Sequence, residues 1–492
     1  MNLLTNLVFK NQLVLFTFFA CIVSRILTGI YYIEDIDSLR FYLSIIDYNV
    51  IEGRPHFPGY PVYCFILKIF YIFTGSIEYS FSIIGGFSIF LIIYFTNKLY
   101  SLFSKKNNYF LIFILFFNPL LWIMSTRFMP DIFGLACLIS ATFYFIKFIK
   151  YKENKSILYL AISIAILLGV RLSYIPFLVP LMYLLYIDYH SFIKLTLYSF
   201  IFTLLWFLPW IYISGFSDTI NLALHDVNGH FNEWGGTVHS GSSSFFHRLN
   251  MTLKSIFSDG FSFWWPDRHY LTYLNAAFLI PLLFSGCLLL KLKLKKNFKL
   301  FFIIFLCLFI YIIWIYFYQN VVYKPRHVLP VIPFLALIIA LGFDWLFSSL
   351  NVAMKYFIFA ILFLPYLLIS AKVNHQHINI KSSLSQMHNY IQNKHHKNIL
   401  VISDNLKVNY FKKNYYSFNK ERRQPINYIS TDKYYKKNNI LNIYNEKENQ
   451  IILSTIQFSS KYFELVNEIH FFHNPYVNRL WDHLILYEYE KK

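Results

Sequence analysis

The sequence predicts an all-helical protein that crosses a membrane many times and carries a small α/β domain at its C-terminal end. Three observations predict it. Of 492 residues, 57% are hydrophobic and only 14% are charged, against about 25% charged in soluble domains, so the chain cannot coat its surface with charge unless lipid is part of its solvent. Apolar stretches near bilayer length recur from residue 13 to residue 371. Between them lie short lysine runs: Lys98, Lys105 and Lys106; Lys147, Lys150, Lys152 and Lys155; Lys291, Lys293, Lys295, Lys296 and Lys299. That is the positive-inside pattern of a polytopic membrane protein, and it accounts for much of the net charge of +19 without a nucleic-acid-binding face.

A window of about 20 residues places crossings at 13–33, 78–98, 109–126, 131–149, 157–170, 173–187, 195–213, 270–290, 300–318, 328–346 and 356–371, about 11 in all. With Lys10 inside, the alternation keeps every lysine run inside and puts 34–77, the turn at Arg171, 214–269, 319–327 and the tail outside. Residues 59–74 are apolar but short and open with Gly-Tyr-Pro, so they read as a helix lying on the outer membrane face. The expected division is a transmembrane unit at 1–371 and an extracytoplasmic domain at 372–492. The tail begins with a helical pattern at 382–393 followed by a buried strand at 398–403. Four of the five cysteines sit in apolar spans and Cys64 stands apart, so no disulfide framework is expected. There is no internal repeat of the kind transporters show.

Chemistry is expected outside. Glu34, Asp35 and Asp37 cluster where the first apolar stretch meets water, and ionisable groups at such a boundary are costly and functional by default. After them comes Gly53-Arg54-Pro55-His56-Phe57-Pro58-Gly59-Tyr60-Pro61, which folds the chain back over the acids. Asp131, following Pro130, reads equally as a helix cap. Arg171 stands between two short spans and Lys324 and Arg326 stand at the mouth of a late helix, as interfacial anchors or as anion ligands. Glu34, Asp35, Asp37 and Asp131 are also residue types that could hold a divalent cation, although their spacing does not establish one. In the 214–269 loop, His225, His230, Trp234-Gly235-Gly236 and Trp264 to His269 are the composition of either a sugar pocket or an interfacial aromatic belt.

The run Asp37-Ser38, Asp47 and Arg54-Pro55-His56-Phe57-Pro58-Gly59-Tyr60-Pro61 resembles the first outer loop of GT-C integral-membrane glycosyltransferases, bacterial relatives of protein O-mannosyltransferases and lipid A aminoarabinose transferases. Ser125-Thr126-Arg127 with Asp131, Gly169-Val170-Arg171 and Lys324-Pro325-Arg326 continue the resemblance in order, across residues 13–371. It implies a GT-C-like fold in the plasma (inner) membrane and transfer of a sugar from a polyprenyl-phosphate donor to a lipid, glycan or protein acceptor on the outer face. A hydroxyl nucleophile then needs a carboxylate base, for which Asp37 is the first candidate and Asp35 the second. The leaving phosphate needs fixed cations, for which Arg171, Arg326 and Lys324 are candidates, with His56, Arg54 and Asp131 as further substrate contacts. An O-antigen-type polymerase or ligase would concentrate Arg and His in the large outer loop. A transporter would carry charges at helix midpoints, and these are scarce here.

Overall fold

The computed structural model describes residues 2–104, 108–186, 188–234, 236–241, 243–263, 269–394, 398–418, 426–431, 450–474, 479 and 481–492. Most of them are helical, and the protein is a multi-pass membrane protein with a five-stranded sheet in its tail. Among the described residues six helices are long and apolar enough to cross a bilayer: Ile77–Ser104, Asp131–Tyr151, Tyr189–Ser214, Thr272–Leu290, Pro325–Leu346 and the long helical segment beginning at Val352. Tyr109–Phe116 and Pro119–Thr126 form a seventh, bent by 51° where Asn118 caps the second half and Pro119 removes a donor.

The expected eleven crossings do not emerge. Several apolar helices, among them Gln12–Leu27, Asn154–Leu168 and Leu172–Met182, are too short for a full span. Residues 270–290 and 300–318 lie on one continuous helix, Thr272–Tyr318. The lysine run between them alternates with leucine and contains neither Gly nor Pro, so nothing in it breaks a helix. The first helix ends at Leu27 rather than at 33. From Thr28 to Asp35 the chain runs back irregularly along the protein, burying Tyr32, Ile33, Glu34 and Asp35. The segment at 59–74 is a 14-residue helix, Pro61–Thr74, about 21 Å long and short of the hydrocarbon thickness, with Phe65, Ile72 and Phe73 exposed.

Helices approach closely where a residue lacks a side chain. A Cβ on Gly85 would lie 1.7 Å from the Ser125 carbonyl oxygen, and one on Gly342 would lie 1.9 Å from that of Leu282. Small residues at such crossings are the usual device of membrane helices. In the tail, the helix Ser383–Asn393 and strand β1 (Asn398–Ser403) agree with the sequence pattern. Strands β2 (Asn427–Ser430) and β3 (Gln450–Ser454) flank β1 in parallel, while β5 (His483–Lys491) runs antiparallel to both β3 and β4 (Phe463–Phe472). The expected boundary at 371/372 falls inside the helix Val352–Asn379, which runs into the tail without interruption.

Candidate active site

The acids that follow the first helix are divided into two ion clusters by the helix Ile36–Ile46, which Asp35 caps by accepting from the Ser38 amide at 2.8 Å. In the first cluster Arg127, leaving the C-terminal end of Pro119–Thr126, pairs with Glu34 and with Asp35 at 2.8 Å. His377 meets the other Glu34 oxygen at 2.8 Å. The backbone here is held by side chains of the tail: Ser382 Oγ donates to the Glu34 carbonyl and Tyr410 OH to the Ile33 carbonyl, each at 2.8 Å. Burial opposes the charge on Glu34, but Arg127 and His377 outweigh it and bring its carboxyl down to about 2.

Asp37, in the first turn of the helix, faces the other way. Its Oδ2 lies 2.9 Å from Lys324 Nζ and 3.0 Å from Arg326 Nη2, and Arg40 approaches the other oxygen at 3.8 Å. Burial again works against the charge, and Lys324 and Arg326 overcome it, holding Asp37 well below the usual carboxylate range. Arg326 Nε is 3.9 Å from Asp131 Oδ1, which also receives Arg171 Nη2 at 2.9 Å. Arg171 donates through Nη1 to Tyr60 OH at 3.3 Å, and that hydroxyl lies 3.0 Å from His56 Nε2. Four cations, Lys324, Arg326, Arg171 and Arg40, thus face two carboxylates, Asp37 and Asp131, leaving a surplus of two positive charges. Arg326 Nε, Arg171 Nε, His56 Nδ1 and Ser38 Oγ are buried with no hydrogen-bond partner. Such groups are costly unless a ligand meets them.

Asp37, Lys324, Arg326, Asp131, Arg171 and His56 therefore form one connected set, while Asp35 belongs with Arg127. Arg54 stands aside, pairing with Asp47 at 2.9 Å and Glu52 at 2.6 Å. The four acids do not fit a divalent cation, because each already holds a guanidinium or ammonium group at contact distance. Among the described residues no three His, Cys, Asp or Glu side chains converge as a metal-binding group. In the 214–269 loop exposed His225 pairs with half-buried Asp226, and His230 bonds the Tyr318 carbonyl. Gly235 and 264–268 lie outside the described residues. Arg127, Tyr60 and His377 belong to the site without the sequence having assigned them a role. Arg127 was visible as part of a motif. Tyr60 adopts a left-handed backbone, φ +46°, that no sequence signal announces.

Burial, opposed by Asp37 and reinforced by Arg40, Arg171 and Arg326, pushes His56 down from 6.5 to about 3. Its neutral state favours the fold fully above pH 6.5, and that contribution is lost as pH falls toward 3. Glu34 loses its own contribution from 4.5 down to about 2. The thermal midpoint of the solubilised protein is expected to fall between pH 6.5 and 4.5. In His56→Gln this slope should shrink; buried His388, held down to about 4, supplies a remainder. An unchanged slope would show that His56 is already charged in the folded protein.

No family model and no curated protein matches the sequence. Among solved structures the chain is similar to ArnT from Cupriavidus metallidurans bound to undecaprenyl phosphate, with a TM-score of 0.54 at 10% identity over 98% of this chain and 97% of that one. It is also similar to ArnT from the same organism in the apo state, with a TM-score of 0.51 at 10% identity over 99% and 98%. The likeness extends over nearly the whole of both chains.

Proposed function

We propose, from the GT-C fold that this chain shares with ArnT, that it transfers a sugar from a polyprenyl-phosphate donor to a lipid, glycan or protein acceptor at the outer face of the plasma membrane. The observation that carries the reading is Asp37, paired with Lys324 and Arg326, in a set where cations outnumber carboxylates and the buried Arg326 and Arg171 each keep an Nε with no hydrogen-bond partner. That is a base next to an anion site. Undecaprenyl phosphate bound in ArnT supplies an anion of the fitting kind.

In this reading the acceptor hydroxyl gives its proton to Asp37 as its oxygen attacks the anomeric carbon. The bond from that carbon to the phosphate oxygen breaks, and the phosphate takes the electron pair. Lys324, Arg326 and Arg171 meet the charge that develops there. Lys324 and Arg326 serve both partners in turn. When the donor phosphate draws them away, Asp37 loses the charges that depress its basicity and becomes a better base. Asp35, occupied with Arg127 and the helix cap, supports the loop. The lysines at 98–106 and 147–155, between apolar segments, support a cytoplasmic location for those stretches, and with it an extracytoplasmic site and C-terminal domain.

Undecaprenyl phosphate is expected to bind the purified full-length protein, and Arg326→Gln is expected to weaken it by about tenfold or more, the loss of one charge-assisted contact. Native mass spectrometry with a lipid titration measures it. Absence of binding in the unaltered protein would remove the reading.

A further inference from the structure

The base and the cations reach the site from opposite ends of the chain. Asp37 follows the first helix, whereas Lys324 and Arg326 follow the helix that ends at Tyr318. No covalent link shorter than 287 residues joins Asp37 to Lys324. The C-terminal domain touches the backbone directly beside each.

On the acid side the contacts are those of Ser382 and Tyr410 with the carbonyls of Glu34 and Ile33, and of His377 with the Glu34 carboxylate. On the cation side, where Tyr311 OH also donates to the His327 carbonyl at 3.1 Å, the tail contributes Arg479. Arg479 Nη1 donates to the carbonyls of Val321 at 3.3 Å and Val322 at 3.1 Å and to Ser255 Oγ at 3.1 Å. Its Nη2 pairs with buried Asp259, and its backbone N–H donates to the Tyr323 carbonyl at 2.9 Å. Three consecutive carbonyls are thereby fixed immediately before Lys324. A guanidinium suits this because its planar fork offers several donors in one rigid geometry.

We propose that Arg479 is a positioning residue: through it the C-terminal domain sets Lys324 and Arg326 in register with Asp37, so that the tail is a template for the site as well as a domain docked beside it. This rests on the proposed transfer only for what the ion pair does; the positioning itself is independent of it. A purely docking role would need only the Arg479–Asp259 charge pair. Positioning needs the carbonyl contacts as well.

The two are separated by cross-linking. A carbodiimide joins the Asp37 carboxylate to the Lys324 amine as an amide only while the two are paired, and the linked peptide is counted by mass spectrometry on the full-length protein in detergent. The unaltered chain should give the product. Arg479→Gln should reduce its yield by about tenfold, since reaction between held groups is governed by their proximity. Asp259→Asn, which leaves the carbonyl contacts in place, should keep most of it even where its thermal midpoint falls. Should Arg479→Gln not fold, Arg479→Lys serves: it keeps the charge toward Asp259 but cannot span the carbonyls, and an intermediate yield at an unchanged midpoint is expected. The inference is overturned by wild-type yield in Arg479→Gln or Arg479→Lys, by losses that simply follow the thermal midpoint in both the 479 and 259 variants, or by absence of the product in the unaltered chain. Undecaprenyl phosphate binding measured on the same preparations before carbodiimide treatment distinguishes the two claims. A protein that gives the cross-link but, untreated, does not bind the lipid removes the transfer reading and leaves the positioning standing.

Discussion

Asp37→Asn is expected to lower turnover of a lipid-linked donor by about two to four orders of magnitude, the range that a positioned general base contributes. The substitution keeps size and shape and removes one charge. It also leaves Lys324 and Arg326, 2.9 and 3.0 Å away, without their anion. Undecaprenyl phosphate should therefore bind as well as before or more tightly, because the carboxylate competes with a phosphate for the same cations. A turnover defect together with retained binding is the signature of a base. Asp35→Asn should act less on turnover, since its contacts are a helix cap and Arg127. Near-normal turnover in Asp37→Asn, with the purified protein, would sink the assignment.

Arg127→Ala should be the most damaging change to the fold of the loop after the first helix. It removes the cation that buried Glu34 and Asp35 share, leaving Glu34 with His377 and Asp35 with the helix cap. Breaking a buried pair by removing one partner costs about 3–5 kcal/mol, because the remaining charge is uncompensated. A large drop in thermal midpoint and in purified yield is expected. The combination Arg127→Met with Glu34→Gln and Asp35→Asn should recover part of that loss, since a neutral set needs no counter-charge. If Arg127→Ala melts where the unaltered protein does, the cluster is solvated and its pairing contributes little.

The class of fold was legible because it depends on averages: low charge, apolar lengths and lysine runs need no tertiary knowledge. The acids after the first helix and the cations at 171, 324 and 326 were legible because charge near an apolar boundary is rare enough to be noticed singly. The count of crossings was less so. Hydropathy marks where lipid could be and says little about where a helix stops, and leucine and lysine alternating without a breaker let Thr272–Tyr318 continue through a charged run. The division of labour between Asp35 and Asp37 was hidden for a different reason. Two residues apart on an emerging helix, they point to opposite partners, and the partners come from residues 127, 324 and 326. Arg54 shows the same limit in reverse, sitting in a promising motif but paired within its own turn. His377 and Arg479 lie in a tail whose composition marks no function.

Tyr60 sets side-chain packing against backbone comfort. Its backbone sits at φ +46°, ψ +48°, a region that costs a residue with a side chain about 1–2 kcal/mol and costs glycine almost nothing. The residue before it is already a glycine, so a single mutation could move the turn to a more comfortable solution. What glycine would lack is the hydroxyl that stands between His56 and Arg171. Glycine would also lack the buried ring that packs on Phe41 at 4.9 Å. Tyr60→Gly would therefore relax the backbone by about 1–2 kcal/mol and give up an aromatic whose burial is worth about 3–5 kcal/mol, so side-chain packing sets the backbone here.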